Sequence, residues 1–389
     1  MQALGEKPRL RSLLDHFAVI EDLREQWRVA HPLPEVLLLV VSASIASCDD
    51  FDDIAAWGET HLAFLRRFLP YHHGVPGARW LNILMNRLDP ELFSECFMAW
   101  ARELRPDAPD LIAIDGKTSR RSHDRSAGKA ALHLVSAFAT REKLVLGQEA
   151  VADTSNEITA IPALLARLAA AGQLAGALVT IDAIATNPDI AQTILDHDAD
   201  YLLAVKANRP SLHAEIERFF ADAPAAAVEV HRDFDKGHGR IEERTARVSR
   251  QVDWLSGERR FPSEYRFPRL AAIAMVEARV ETRTKRWTER RDYITSRAIS
   301  AARLAEAVRA HWQIENALHW VLDVTFREDL ARVRKGHGAK NMAVVRHFAI
   351  NIVRNANDKR SLKIRRKLAG WSPKYLAALL QPTAVNLES

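Results

Sequence analysis

Between residues 111 and 220 the spacing of apolar residues switches back and forth between a period of two and a period near 3.6. That alternation restricts the fold more than any other feature of the chain. "LIAID" (111–115) is a short apolar run, "ALHLVSAFA" and "LVLGQEAVA" alternate on either side of the turn "TREK", and together they predict one strand followed by a hairpin. A helix comes next: Thr154 and Glu157 in "TSNE" form a capping box ahead of "ITAIPALLARLAAAG", which Gly172 closes. "GALVTID" reads as a buried strand, "NPDIAQTILDHD" as a helix capped by Asn187 with Pro188 in its first turn, "DYLLAVKAN" as a strand and "PSLHAEIERFF" as a helix.

The order β-β-β-α-β-α-β-α is that of an α/β ribonuclease H-like core, a mixed sheet in which an antiparallel trio is extended by parallel strands through right-handed crossovers. The fourth strand returns beside the first. Asp115 and Asp182, each expected to end its strand, then lie side by side at the carboxyl edge, where open α/β sheets bind their ligands. Two carboxylates so close repel one another unless a cation sits between them. Hard oxygen donors suit Mg²⁺ or Mn²⁺, ions commonly held by one or two carboxylates plus substrate phosphate oxygens. Either aspartate alone reads as a strand end; the matched pair points to metal chemistry.

A third acid is expected from "LAEAVRAHWQIENALHWVL" (304–322), a helix whose apolar stripe runs through Leu304, Val308, His311, Leu318 and Leu322. Glu315 falls within that stripe and is expected to face inward, which costs several kcal/mol unless it binds metal or pairs with His311 one turn earlier. Asp323, Glu328 and Asp329 in "LDVTFRED" compete for the third place, but acids beyond a helix more often cap it or meet solvent. Glu242 and Glu243 rank lower still. His319, one turn past Glu315, is a candidate for proton transfer, although a packed or exposed histidine is commoner.

Positive charge is unevenly placed. From Arg332 to Lys367 there are twelve Lys and Arg residues against the single acid Asp358, the footprint of a polyanion partner or of a solvated basic tail. Lys117, Arg120, Arg121 and Lys206 fall near the predicted carboxyl edge and, with Arg334 and Lys335 of the basic run, are the candidate DNA-phosphate contacts. Trp312 and Trp320 are candidates to stack on a base, though helical tryptophans more often fill a core.

The remaining organisation is coarser. Residues 1–105 read as a helical domain and "RPDAPD" as a boundary, with 106–224 the first part of the core. Residues 225–297 form a strand-rich insertion, scaffold or DNA-facing platform, in which "RLAAIAMVEARVET" and "RWTERRDYITS" pair around "RTK"; 298–389 complete the core with the third acid and the basic region. "EVLLLVVSASIASC" is too short and too serine-rich for a membrane span and reads as a core helix, and no apolar leader follows the N-terminal charges, so a cytoplasmic protein is expected. Cys48 and Cys96 have no metal-ligand spacing and read as buried thiols.

"LIAIDGKT", "ALHLVSAFA", "LVLGQ", "SNEITAIP", "VTIDA", "DYLLAVKAN", "GHGRIE", "IENALHWVLDVTFRED" and "RHFAIN" cover most of residues 110–350. In that order they resemble the ISAs-type, H-repeat-associated insertion-sequence transposases of the Asp-Asp-Glu group; "EDLREQWRVA" and "HPLPEVLLLVVSA" match the family's helical N-terminal region more loosely. The resemblance implies a metal-binding triad of Asp115, Asp182 and Glu315, the same three acids that the chemistry selects. It also implies DNA as substrate and a homodimer that brings two element ends together. The expected reaction is metal-dependent cleavage with two ions, Mg²⁺ or Mn²⁺, then attack of the freed 3′-hydroxyl on target DNA. A nuclease or resolvase without strand transfer, and a non-catalytic DNA-binding derivative, are the alternatives. Of the pattern Tyr-x2-Arg-x3-Glu-x6-Lys found in related transposases only the acid is kept, with Val308, His311 and Leu322 at the other positions, so DNA contacts tied to that pattern do not transfer.

Overall fold

The computed structural model describes residues 9–105, 107–124, 128–152, 155–206, 208–237, 239–256 and 266–381. The chain opens with α1 (Arg9–Val19), α2 (Leu33–Ile45), α3 (Phe51–Thr60), α4 (Leu62–Leu65), α5 (Ala78–Arg87) and α6 (Pro90–Leu104). The apolar run expected as a core helix is α2, buried along almost its whole length. Among the described residues no helix is long and apolar enough to cross a membrane. Asp89 caps α6 by accepting the Glu91 and Leu92 N–H groups, with Pro90 at the first position as its sequence signals.

β1 (Leu111–Thr118), β2 (His133–Ala139), β3 (Leu144–Ala150), α7 (Glu157–Ala170), β4 (Leu178–Ile181), α8 (Pro188–Asp196), β5 (Asp200–Val205) and α9 (Pro210–Asp222) follow in the expected order. β1 pairs antiparallel with β2 and parallel with β4, and β4 pairs parallel with β5. One local expectation fails. Asn156 caps α7 by accepting the Ile158 N–H, while Glu157 instead meets His133 Nε2 at 2.8 Å; Thr154 lies outside the described residues.

β6 (Glu229–Gly237), β7 (Arg240–Ser249), α10 (Asp253–Ser256), β8 (Ala272–Thr282) and β9 (Arg286–Thr295) make up the insertion, with the β8–β9 hairpin as expected. The sequence did not reveal that β9 also pairs antiparallel with β5, from Leu202↔Thr295 to Val205↔Asp292. The result is one nine-stranded sheet in the order β3-β2-β1-β4-β5-β9-β8-β7-β6. β5 is apolar on both faces, and the buried end of β9 covers the edge it would otherwise leave open. The basic residues of this hairpin are matched by acids, as in Arg279–Glu277, Arg286–Glu281 and Arg291–Glu289, which reduces its net charge as a DNA platform.

α11 (Ala301–Gln313), α12 (Gly338–Arg354), α13 (Leu362–Trp371) and α14 (Pro373–Leu380) complete the chain. α11 lies across β1, β4, β6 and β7, where its Leu304, Ala307 and Val308 join Leu111, Leu178 and Leu202 in one apolar cluster. Ile112, Ile114, Val179 and Ile181 alternate to the other face and belong to the main core. α12 is buried along most of its length and ties the N-terminal helices to the sheet: Asn341 donates to the Met85 and Leu88 carbonyls, and Asn351 exchanges two hydrogen bonds with the Val145 backbone.

The basic run 332–367 is not a uniform outer surface. Arg346, Arg365 and Arg366 are buried, Arg365 donating to the Val353 and Arg354 carbonyls and Arg366 to that of Ser44, so these three bind the chain to itself. Arg332, Lys335, Lys359, Arg360, Lys363 and Lys367 remain exposed. Cys96 is buried and Cys48 partly so; burial pushes both thiols up to about 12.

Candidate active site

The parallel ladder of β1 and β4 aligns Ile114 with Ile181 and stops there. The next residues are Asp115 and Asp182, neighbours across one strand spacing of about 4.8 Å and, by alternation, on the face that α11 covers. Only Asp182 ends its strand. β1 runs on to Thr118 through its ladder with β2, Asp115 standing opposite Ser136, so Asp115 is held in mid-strand.

After Gln313 the helix widens: Ile314–His319 and Val321–Thr325 are π-helical. Such segments recur at functional sites, and this one overturns the expectation for Glu315. Ile314 and Leu318 take the inward places there, and Glu315 stands off that stripe with its side chain 58% exposed. His311 does not pair with it and instead lies 2.9 Å from Thr180 Oγ1 on β4. The histidine beside Glu315 is His319, whose Nδ1 is 3.5 Å from Glu315 Oε2 and 3.5 Å from Asp115 Oδ2. One ligand atom each from Asp115, Glu315 and His319 lies within 4.8 Å of the others. Asp182 lines the same cleft, of about 120 Å³, but stands apart from this trio with Oδ1 3.3 Å from Lys206 Nζ. The His311, Glu315, His319 spacing of four was the available signal for His319.

Burial pushes the Asp115 carboxyl up to about 6, with His319 opposing. Burial also raises Asp182, but the Ala183 N–H and Lys206 outweigh it and leave that carboxyl below its usual range. The His319 contact, against weaker burial, holds Glu315 low, and burial depresses His311 to about 4. A half-buried carboxylate that charges reluctantly, beside a second acid and an imidazole nitrogen, is a donor set that a divalent cation relieves.

Asp115 gives a pH dependence of definite sign. Its folded value, about 6, exceeds its ordinary 3.8, so its contribution to stability is whole below 3.8 and is lost as pH rises through about 6. A proton and a bound cation would compete for the same Asp115 oxygen. Added Mn²⁺ is therefore expected to raise Tm more at pH 7 than at pH 5; equal shifts in differential scanning fluorimetry at both values contradict the assignment.

Of the candidate phosphate contacts, Lys117 is corrected. Its amine is 2.7 Å from Asp323, 2.9 Å from Glu328 and 3.7 Å from Asp329, and its side chain is only 10% exposed. The acids that competed for third place are thus its partners. Glu328, expected near solvent, is 3% exposed and also meets Arg346 at 3.2 Å, because the segment after the π-turns folds back onto β1. Arg120 is exposed near Asp329, Arg121 is exposed and accepts on its carbonyl from Arg334 Nε, and Lys206 is half-exposed beside Asp182. Lys335 is exposed along a groove shared with Arg79, Arg87 and Arg332. Trp312 and Trp320 are surface residues, 40% and 57% exposed, with Arg291 over the Trp312 ring at 4.1 Å.

The sequence profile described as "Transposase DDE domain" matches residues 106–352, and the one described as "DDE_Tnp_1-associated" matches residues 14–101. The "H repeat-associated putative transposase YhhI" of Escherichia coli strain K12 is 36% identical over 384 residues, covering 97% of this chain and 100% of that protein. A relative from Escherichia coli O157:H7 that carries the transposase name YncI is 35% identical over 382 residues, 95% of each chain. Among solved structures, a piggyBac transposase in its synaptic complex with hairpin DNA aligns at a TM-score of 0.44 and 10% identity over 97% of this chain and 80% of that one, too loose to carry a conclusion.

Proposed function

Belonging to the transposase DDE-domain family, this chain is a DDE-type transposase, and we propose that Asp115, Asp182 and Glu315 are the acids with which it cuts DNA. What carries the reading is the β1–β4 ladder, which ends at Ile114↔Ile181 and leaves two aspartates abreast beneath the π-helical segment bearing Glu315. The core is assigned as ribonuclease H-like, over 106–224 and 298–389, with 225–297 as an insertion that lengthens its sheet and 1–105 as the helical N-terminal region.

Transposases of this kind act on DNA with divalent metal. Asp115, Asp182 and Glu315 would hold the ions, taken as two of Mg²⁺ or Mn²⁺, whose chemistry there would be to activate water and to stabilise charge on the phosphate. Lys206 and Arg291 line the cleft and neutralise phosphate oxygens, and Arg120 and Arg121 extend that surface. Were Asp182 to hold a metal in place of its contact with Lys206, that amine would be free for DNA. Water attacks the phosphorus at the element's end and the P–O3′ bond breaks, leaving a 5′-phosphate and a free 3′-hydroxyl; that hydroxyl attacks a target phosphorus in the same cleft, breaking the target's P–O3′ bond and releasing a target 3′-hydroxyl. The partners are element ends and target DNA, joined by a homodimer, in the cytoplasm of a prokaryotic cell.

The test is an assay of purified protein with labelled terminal DNA, Mn²⁺ and a target plasmid. End cleavage followed by covalent joining to the plasmid is expected. Cleavage without joining replaces this reading by that of a nuclease, and no cleavage at all removes it.

A further inference from the structure

The tight trio at the site contains a histidine that the three-acid description leaves out. We propose that His319 completes the metal centre as a nitrogen ligand, its Nδ1 taking a coordination position beside Asp115 Oδ2 and Glu315 Oε2 and tuning the site toward Mn²⁺ over Mg²⁺. The inference rests on the assignment of those two acids as ligands and adds the imidazole to them.

The distances fit a ligand position between two carboxylates, with His319 Nδ1 farther from them than a short hydrogen bond would hold it. Elsewhere in this protein a ring nitrogen that bonds a side-chain oxygen comes close, 2.8 Å for His133 to Glu157 and 2.9 Å for His311 to Thr180. His319 Nδ1 stands off both carboxylates at 3.5 Å, beyond the usual range of N–H···O bonds, which ends near 3.2 Å. Edges of 3.5, 3.5 and at most 4.8 Å leave one ion able to reach all three atoms at about 2.0–2.3 Å after at most a few tenths of an ångström of closure.

The ring is also fixed and uncommitted. It is 5% exposed, so packing sets its orientation, and Nε2 is buried without a partner among the described residues. Among the described residues, the ion-pair contacts of Nδ1 are to Asp115 and Glu315, both candidate ligands. With the proton on Nε2, the Nδ1 lone pair faces two carboxylates, which becomes favourable when a cation sits among them. The π-helical segment supplies the acid and the imidazole together, four residues apart, opposite an aspartate fixed in mid-strand. A nitrogen donor favours a transition-metal ion over Mg²⁺ more than an all-oxygen set does.

Pulsed electron paramagnetic resonance of Mn²⁺ bound to the full-length protein without DNA decides the matter. The wild type is expected to show the nitrogen coupling of a directly bonded imidazole. His319→Asn is expected to lose that coupling and to bind Mn²⁺ about tenfold more weakly, with a smaller change for Mg²⁺, while circular dichroism keeps its fold. Bound Mn²⁺ without nitrogen coupling in the wild type, a reading that needs no variant, overturns the ligand role and leaves the three acids standing. Coupling that persists in His319→Asn does the same. A wild type that binds no Mn²⁺ at this site refutes the acid assignment itself.

Discussion

Asp182→Asn is expected to slow cleavage of element ends by about 10³-fold or more while moving Tm by about 2 °C or less. The amide keeps the shape of the side chain and removes the charge that the proposed metal-holding role needs, worth several kcal/mol in the transition state, and each 1.36 kcal/mol is tenfold in rate. Folding depends little on this carboxylate, whose Lys206 contact is a half-exposed pair of the kind that contributes about 1 kcal/mol or less. A single-turnover assay beside a thermal melt separates the two effects. A variant that keeps a tenth of the wild-type rate removes Asp182 from the chemistry.

Glu328→Gln has the opposite signature: it strikes stability first. Glu328 is buried between Lys117 and Arg346, themselves 10% and 6% exposed; losing its charge strands the buried Arg346 guanidinium, at a cost of about 3 kcal/mol, while Lys117 keeps Asp323 and Asp329. Burial alone raises this carboxyl, but Arg346 and Lys117 outweigh it and hold it below its usual range. Its contribution is therefore present above the ordinary glutamate value and is lost as pH falls through the lowered one. Urea unfolding at neutral pH is expected to show the loss; a change under 1 kcal/mol contradicts it. Activity falls as a consequence, because Lys117 lies two residues beyond Asp115 on β1 and this cluster clamps the strand to the segment that follows Glu315 and His319.

What the sequence disclosed was mostly local. Asn187 is visible as a helix cap because the bond it accepts lies two residues away. The order of the first five strands and the adjacency of Asp115 and Asp182 follow from periodicity and the handedness of crossovers, rules that hold without knowledge of side-chain partners. The π-turns after Gln313 have no period of their own in the sequence, so Glu315 was set on an inward face that it leaves. Partners far along the chain were equally hidden: Lys117 meets Glu328 211 residues on, and Arg366 donates to the Ser44 carbonyl 322 residues back. A basic run that reads as one surface is therefore divided between interior and exterior by contacts that composition does not encode.

Anomalous diffraction from crystals grown with Mn²⁺ tests the central claim most directly. The account predicts manganese peaks within about 2.0–2.3 Å of carboxylate oxygens from Asp115, Asp182 and Glu315, with Asp182 released from Lys206. Manganese held elsewhere, or at Asp115 and Glu315 with Asp182 still on its lysine, contradicts it.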